Sequence, residues 1–196
     1  MVGSGERLFL ALTFPERVRE TLGELVEARP GFRWVPAGNR HLTLKFIGTV
    51  AEEERERMVE RLAKVSVRSF PVTLGGVGTF PEAPAPPKVV WTGVLRAHPH
   101  LFALHKRIDD TLFRMGVAPD TRRYRPHATI ARVGDAPPES VAQYVKARAG
   151  FEAPPVFAES FALVRSELSG GAPRHTRLRT FPLETVCDRR RLGHGE

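Results

Sequence analysis

Apolar and polar residues along this 196-residue chain switch between a period of about two and a period of about 3.6, and the switches mark its elements. Residues 7–13 (RLFLALT) predict a buried strand that ends at Phe14-Pro15, with the proline opening a helix. Val18, Leu22, Leu25 and Val26 then recur at i, i+4, i+7 and i+8, the apolar face of a helix that stops near Pro30-Gly31. Short strands are predicted over Phe32 to Val35 and over His41 to Gly48 (HLTLKFIG). Glu52, Glu53 and Glu54 suit a helix N-terminus, and Met58, Val59, Leu62 and Ala63 give that helix its apolar face. Phe70 to Phe80 reads as a strand loosened by Gly75, Gly76 and Gly78.

Four prolines within Pro81 to Pro87 (PEAPAPP) exclude helix and central strand there, so this stretch predicts a connector between halves. The second half repeats the first in outline. Lys88 to Leu95 predicts a strand, and Pro99 to Met115 a helix with Leu101, Leu104, Ile108, Leu112 and Met115 on one stripe. Pro126 to Val133 predicts a strand, Pro138 to Ala149 a helix carrying Val141 and Val145. Val156 to Leu168 and Arg174 to Leu183 predict two strands joined through Ser169-Gly170-Gly171-Ala172 as a hairpin. The expected fold is therefore α+β and bilobal: two pseudo-symmetric antiparallel-sheet lobes with outer helices and a central cleft. One domain over 1–186 is expected, its halves at about 1–80 and 88–186 with strand exchange between them allowed for, followed by a basic tail over 187–196.

Composition narrows the partner. Hydrophobic residues at 41% and charged residues at 27% are ordinary globular usage. The longest apolar runs are too short to cross a bilayer, and a cytoplasmic protein without a membrane partner is expected. A single cysteine, Cys187, excludes an intramolecular disulfide and a cysteine-rich zinc site, and reads as an inert thiol in a reducing compartment. The formal charge of +8 favours a polyanion, nucleic acid first. It is concentrated: Arg122, Arg123, Arg125 and Arg132 fall between Thr121 and Val133 without an acid, and Arg165, Arg174, Arg177 and Arg179 face only Glu167. Arg189, Arg190 and Arg191 read as a solvated end.

Aligned on their histidines, HLTLKFIG (41–48) and HATIARVG (127–134) match at the histidine, the threonine, an aliphatic position and the closing glycine. With 7 histidines in 196 residues and 13 threonines, about half of one His-x-Thr triplet is expected by chance. Two triplets at equivalent points of a repeated element order are a far rarer coincidence. On a strand, i and i+2 share a face, so His41 points with Thr43 and His127 with Thr129, while Leu42, Leu44, Ala128 and Ile130 point into packing. Two imidazoles facing one ligand supply a general acid and a general base, and threonine hydroxyls suit non-bridging phosphate oxygens. A lone histidine on such a face is most often structural; its duplication with threonine reverses the odds.

Other chemistries fare worse. Two histidines without a neighbouring carboxylate make a poor metal site, and His98-Pro99-His100 reads as a helix cap region. Gly75-Gly76-Val77-Gly78 lacks the lysine of a phosphate-binding loop. A basic RNA-binding module without catalysis is the competing class, but phosphate binding alone needs no titrating pair. Parity along the first motif sets Lys45 on the face of Thr43 and Phe46 in the core. In the second motif it sets Arg132 opposite His127 unless the strand twists or ends there.

HLTL and HATI, one per half, resemble the paired signatures of the two-histidine phosphoesterases. With RLFLALTFP, RPHATIAR and the closing FPL (Phe181 to Leu183), the chain more narrowly resembles the bacterial RNA 2',3'-cyclic phosphodiesterases, also called 2'-5' RNA ligases. The resemblance implies metal-independent hydrolysis of RNA 2',3'-cyclic phosphate ends to 2'-phosphomonoesters, without a cofactor, and reversible 2'-5' ligation at the same site. It gives His127 the role of proton acceptor and His41 that of proton donor, with Thr43 and Thr129 on the phosphate oxygens. Arg132, Arg125 and Lys45 are the expected substrate-binding cations. The partner it implies is RNA with a cyclic phosphate end, tRNA fragments included, and the protein is expected to act as a monomer.

Overall fold

The computed structural model describes residues 5–82, 84–168 and 172–185, and most element boundaries fall close to a change of hydrophobic period. In chain order these are β1 (Glu6–Thr13), α1 (Glu16–Gly23), β2 (Phe32–Trp34), a 3-10 turn at Ala37–Asn39, β3 (His41–Val50) and α2 (Glu52–Leu62). Then come β4 (Phe70–Phe80), β5 (Val89–Leu95), α3 (Pro99–Phe113), β6 (His127–Val133), α4 (Pro138–Ala147), β7 (Val156–Ala158), β8 (Ser160–Glu167) and β9 (Arg174–Pro182). Cys187, the basic tail and most of the turn between β8 and β9 lie outside the described residues.

The strands run in the order β7-β4-β5-β6-β3-β1-β8-β9, with β2 on β6, and all pair antiparallel. Between the named strands, the two lobes pair at one Cα position, Leu42 with Ala128, and a bridge of Arg68 with Glu184 links them outside these strands. One lobe holds β1, β3, β8 and β9, and the other β2, β4, β5, β6 and β7. The fold is thus α+β with two antiparallel lobes, and strands are exchanged between the halves of the chain. β4 leaves the first half to pair with β5, and β8 leaves the second to pair with β1. The segment expected as one strand from Val156 to Leu168 breaks at Glu159, because β7 belongs to one lobe and β8 to the other. The first helix is also a turn shorter than its pattern: Leu25 is buried beyond the helix end, and its carbonyl accepts from the Tyr144 hydroxyl at 2.6 Å.

Four helices cover one face of this sheet. Leu8, Leu10 and Leu12 of β1 meet Val18 and Leu22 of α1, Met58 and Leu62 of α2, and Leu101, Leu104, Ile108 and Leu112 of α3. The four α3 side chains are fully buried and contribute roughly 8 kcal/mol of gross hydrophobic stabilisation before entropy is subtracted. Val141 and Tyr144 of α4 pack in a second cluster with Phe32, Val90, Ala131 and Val133. Among the described residues, no helix covers the other, concave face of the sheet, and both His-x-Thr pairs lie on it.

Candidate active site

Each motif strand carries a β-bulge at the third residue after its histidine. Along β1 and β3, Thr13 pairs with His41, Ala11 with Thr43, and Leu10 with Lys45, so Leu44 is the extra residue. Along β5 and β6, Gly93 pairs with His127, Trp91 with Thr129, and Val90 with Ala131, so Ile130 is the extra residue. Directly opposed residues share a face, and an extra residue inverts alternation beyond it. Leu44 and Ile130 are buried in the core, as their apolar side chains require.

The inversion moves two residues onto the concave face and one off it. Arg132 pairs with Val89, on the side of Trp91 and His127, so it faces the cleft together with the second His-x-Thr pair. Phe46 pairs with Phe9 and stands on the same concave face at 66% exposure, not in the core. Lys45 goes the other way. Its side chain is 2% exposed, with Nζ 2.6 Å from Asp109 and 3.2 Å from Asp120, and it donates to the Ala118 carbonyl at 3.0 Å. Simple parity is therefore overturned at all three positions, and Lys45 is a buried structural cation rather than a substrate contact.

Both imidazoles are oriented in the same way. His41 Nδ1 lies 2.6 Å from the Asn39 carbonyl, and His127 Nδ1 lies 2.7 Å from the Arg125 carbonyl. A carbonyl only accepts, so Nδ1 carries the proton in each ring and Nε2 is left for the cleft. Burial pushes the His41 pKa down to about 4; the carbonyl of Asn39 opposes this, and the neighbouring His175 and His127 reinforce it. His127 is also lowered, first by burial and then by the Arg125 charge, against the help of its carbonyl partner. Both rings are thus neutral at rest near pH 7.

Aromatic rings hold the histidines from the side. Phe9 stacks on His41 at 4.7 Å between centroids, and Phe80 meets His127 edge-on at 4.9 Å. Trp91, opposite Thr129, lies over Gly78, where a Cβ would come within 2.4 Å of the indole. Gly78 thus makes the space for this wall, which the glycine-rich sequence of β4 does not announce. Arg125 places its guanidinium over Phe80 and pairs with Glu82, so its charge is already engaged. Two residues that the sequence pattern does not single out also face the site. Arg33 of β2 is paired with Arg132 and adds a second exposed cation. His175 of β9 lies 5.3 Å from His41, ring to ring, although a flat sheet would hold β9 about 14 Å from β3. The sheet curls to bring them together.

His98 caps α3, its Nδ1 accepting from the His100 backbone at 3.2 Å, as the sequence suggests. Among the described residues, no group of three or more His, Cys, Asp or Glu is placed to hold a metal ion, and no helix is long and apolar enough to cross a membrane.

A family model described as LigT like Phosphoesterase matches residues 12–91 and 95–173. Among curated relatives, the RNA 2',3'-cyclic phosphodiesterase of Archaeoglobus fulgidus is 33% identical over 178 residues, 89% of this chain and 99% of that protein. The protein of the same name from Thermus thermophilus is 35% identical, over 90% of each chain. Among solved structures, a phosphoesterase superposes with a TM-score of 0.75 at 26% identity over 91% of this chain and 98% of that one. E. coli LigT complexed with 3'-AMP gives 0.73 at 26% identity, with the same coverage.

Proposed function

The chain belongs to the LigT-like phosphoesterases, and on that footing we propose that it hydrolyses RNA 2',3'-cyclic phosphate ends to 2'-phosphomonoesters with its two histidines as base and acid. The observation that carries the chemistry is the matched pair of imidazoles on one concave face, each held through Nδ1 by the carbonyl two residues before it. The hydrolysis is supported by relatives that carry this activity in their names and align over most of their length.

The cyclic phosphate sits between the two Nε2 atoms. His127 takes a proton from water as the water oxygen bonds to phosphorus. The bond from phosphorus to the 3'-oxygen breaks, and His41 gives that oxygen its proton. The 2'-ester bond is kept, so the product is a 2'-phosphate. Thr43 and Thr129 donate to the non-bridging oxygens, and Arg132 meets the charge that builds up on them. Phe46 offers an exposed ring to the terminal nucleoside. A 5'-hydroxyl in place of water gives a 2'-5' linkage by the same proton transfers.

His41 serves as acid because its environment changes on binding. An imidazolium in a site that disfavours it is a strong acid, and a phosphate anion beside it raises the protonated fraction. An oligonucleotide with a 2',3'-cyclic end, incubated with the protein in EDTA, tests the reaction. A 2'-phosphate product is expected; a 3'-phosphate, or no turnover, overturns it.

A further inference from the structure

Past His41 the concave face continues into a cavity of about 210 Å3, lined by Phe9, His41, Arg19, Arg40, His175 and Arg177 among others. That is below the roughly 300–1,000 Å3 of sites that enclose a drug-sized ligand, so it accepts a group rather than a whole nucleotide.

Its lining is cationic beyond what the fold uses. Arg40 is only 7% exposed and is held by two carbonyls, Nε to Val35 at 3.1 Å and Nη1 to Arg19 at 3.2 Å. No carboxylate among the described residues pairs with it, and its Nη2 has no hydrogen-bond partner among them. A buried guanidinium without a counter-ion is costly, and an anion is what relieves it. His175 Nδ1 is buried and unpartnered at the same place. Arg177 stands opposite Val164 on the concave face. No Asp or Glu is among the described residues that line the cavity, and of its arginines Arg19 is paired with Glu16.

We propose that this pocket is a second phosphate subsite, which takes the phosphodiester on the 5' side of the terminal nucleotide while the cyclic phosphate lies between His41 and His127. It rests on the reaction proposed above. His41 faces the 3'-oxygen of the terminal ribose, and the next phosphate of the strand hangs from that same ribose. One nucleotide step past His41 therefore leads into the pocket. The subsite makes a polymer end, or a 5'-phosphorylated nucleotide, the preferred substrate over a bare nucleoside cyclic phosphate.

Kinetics decide it with two matched substrates, a nucleoside 2',3'-cyclic phosphate with and without a 5'-phosphate. In the wild type the 5'-phosphate lowers KM about tenfold, the size of one charge-assisted hydrogen bond. In Arg177→Ala and Arg40→Gln that preference falls below about threefold. Arg177 is exposed, so its variant folds whatever becomes of Arg40. The same preference is read by calorimetry as Kd for the matching nucleoside 2'-phosphates, with and without the 5'-phosphate. A wild type that hydrolyses neither substrate sinks the reaction, and the calorimetry still decides the subsite. A wild type without the preference, or variants that keep it, overturns the subsite.

Discussion

Leu42 of β3 and Ala128 of β6 oppose each other as the Cα pair at which strands of the two lobes meet. Extending this antiparallel register by one residue each way sets His41 beside Thr129 and Thr43 beside His127. Each imidazole is flanked by a threonine of its own strand and by one from the other lobe. Thr43→Val and Thr129→Val should therefore cost alike, each lowering kcat/KM by roughly 10- to 100-fold for a lost hydrogen bond to a charged group. Effects that differ by more than about a hundredfold would contradict an equal share of the phosphate.

His41→Ala and His127→Ala should each lower kcat by roughly 10²- to 10⁴-fold, the usual reach of general acid or base catalysis. Affinity for a cyclic-ended oligonucleotide, measured by fluorescence anisotropy, should change only a few fold. Turnover retained in either variant would remove that residue from proton transfer.

The pH dependence should separate free from bound enzyme. With His41 at about 4 and His127 also lowered, kcat/KM should peak on the acid side of neutrality. Bound phosphate favours imidazolium and raises the His41 pKa, so the alkaline limb of kcat should lie at higher pH than that of kcat/KM. Coincident limbs would mean that the substrate anion does not act on His41.

Stability should respond to the same group. The folded pKa of His41 lies below its unfolded value, so the unfolded chain binds more protons between the two. Its contribution is whole above about pH 6.5 and is lost as pH falls towards 4, amounting to roughly 3 kcal/mol at most. Urea melts of His41→Gln should lose less stability over that window than the wild type. Parallel losses would show that burial of His41 is not what makes the fold acid-sensitive.

Lys45→Met tests the buried cation. It leaves Asp109 and Asp120 without their cation, but these are 19% and 44% exposed, so the loss should be about 2–3 kcal/mol, below the 3–5 of a fully buried pair. Thermal unfolding should drop by roughly 5–10 °C. Tyr124, whose hydroxyl donates to the Thr43 carbonyl at 3.0 Å, lies in the same network. A melt within a degree of wild type would count against a structural role for Lys45.

Period and turn residues locate most strands and helices, and the repeated octapeptide locates the two His-x-Thr pairs, because core burial and alternation constrain the same positions. Alternation failed past Leu44 and Ile130, since a bulged residue with an apolar side chain looks like any strand residue. Only the partner strand reveals the extra residue, so Lys45, Phe46 and Arg132 came out on the wrong faces. Arg33 was invisible for another reason: β2 is three residues long, and its pairing with β6 spans about a hundred residues. His175 sits 134 positions from His41, and only the curl of the sheet makes them neighbours. Repetition in the sequence finds what each half duplicates, and neither Arg33 nor His175 lies within the repeated octapeptides.

The exchanged strands also set an order of assembly in time. β1 precedes the other described elements in the chain, whereas its partner β8 and the closing β9 follow all of them. At about 5–20 residues per second, roughly 6–28 seconds separate the synthesis of His41 from that of the strands that complete its lobe. Through that interval the outer edge of β1 has no native partner, and the wall formed by Ala162, Val164 and His175 does not exist. A nascent chain therefore carries its first histidine long before it has a site, and the chemistry begins only when nearly the whole described chain has been made.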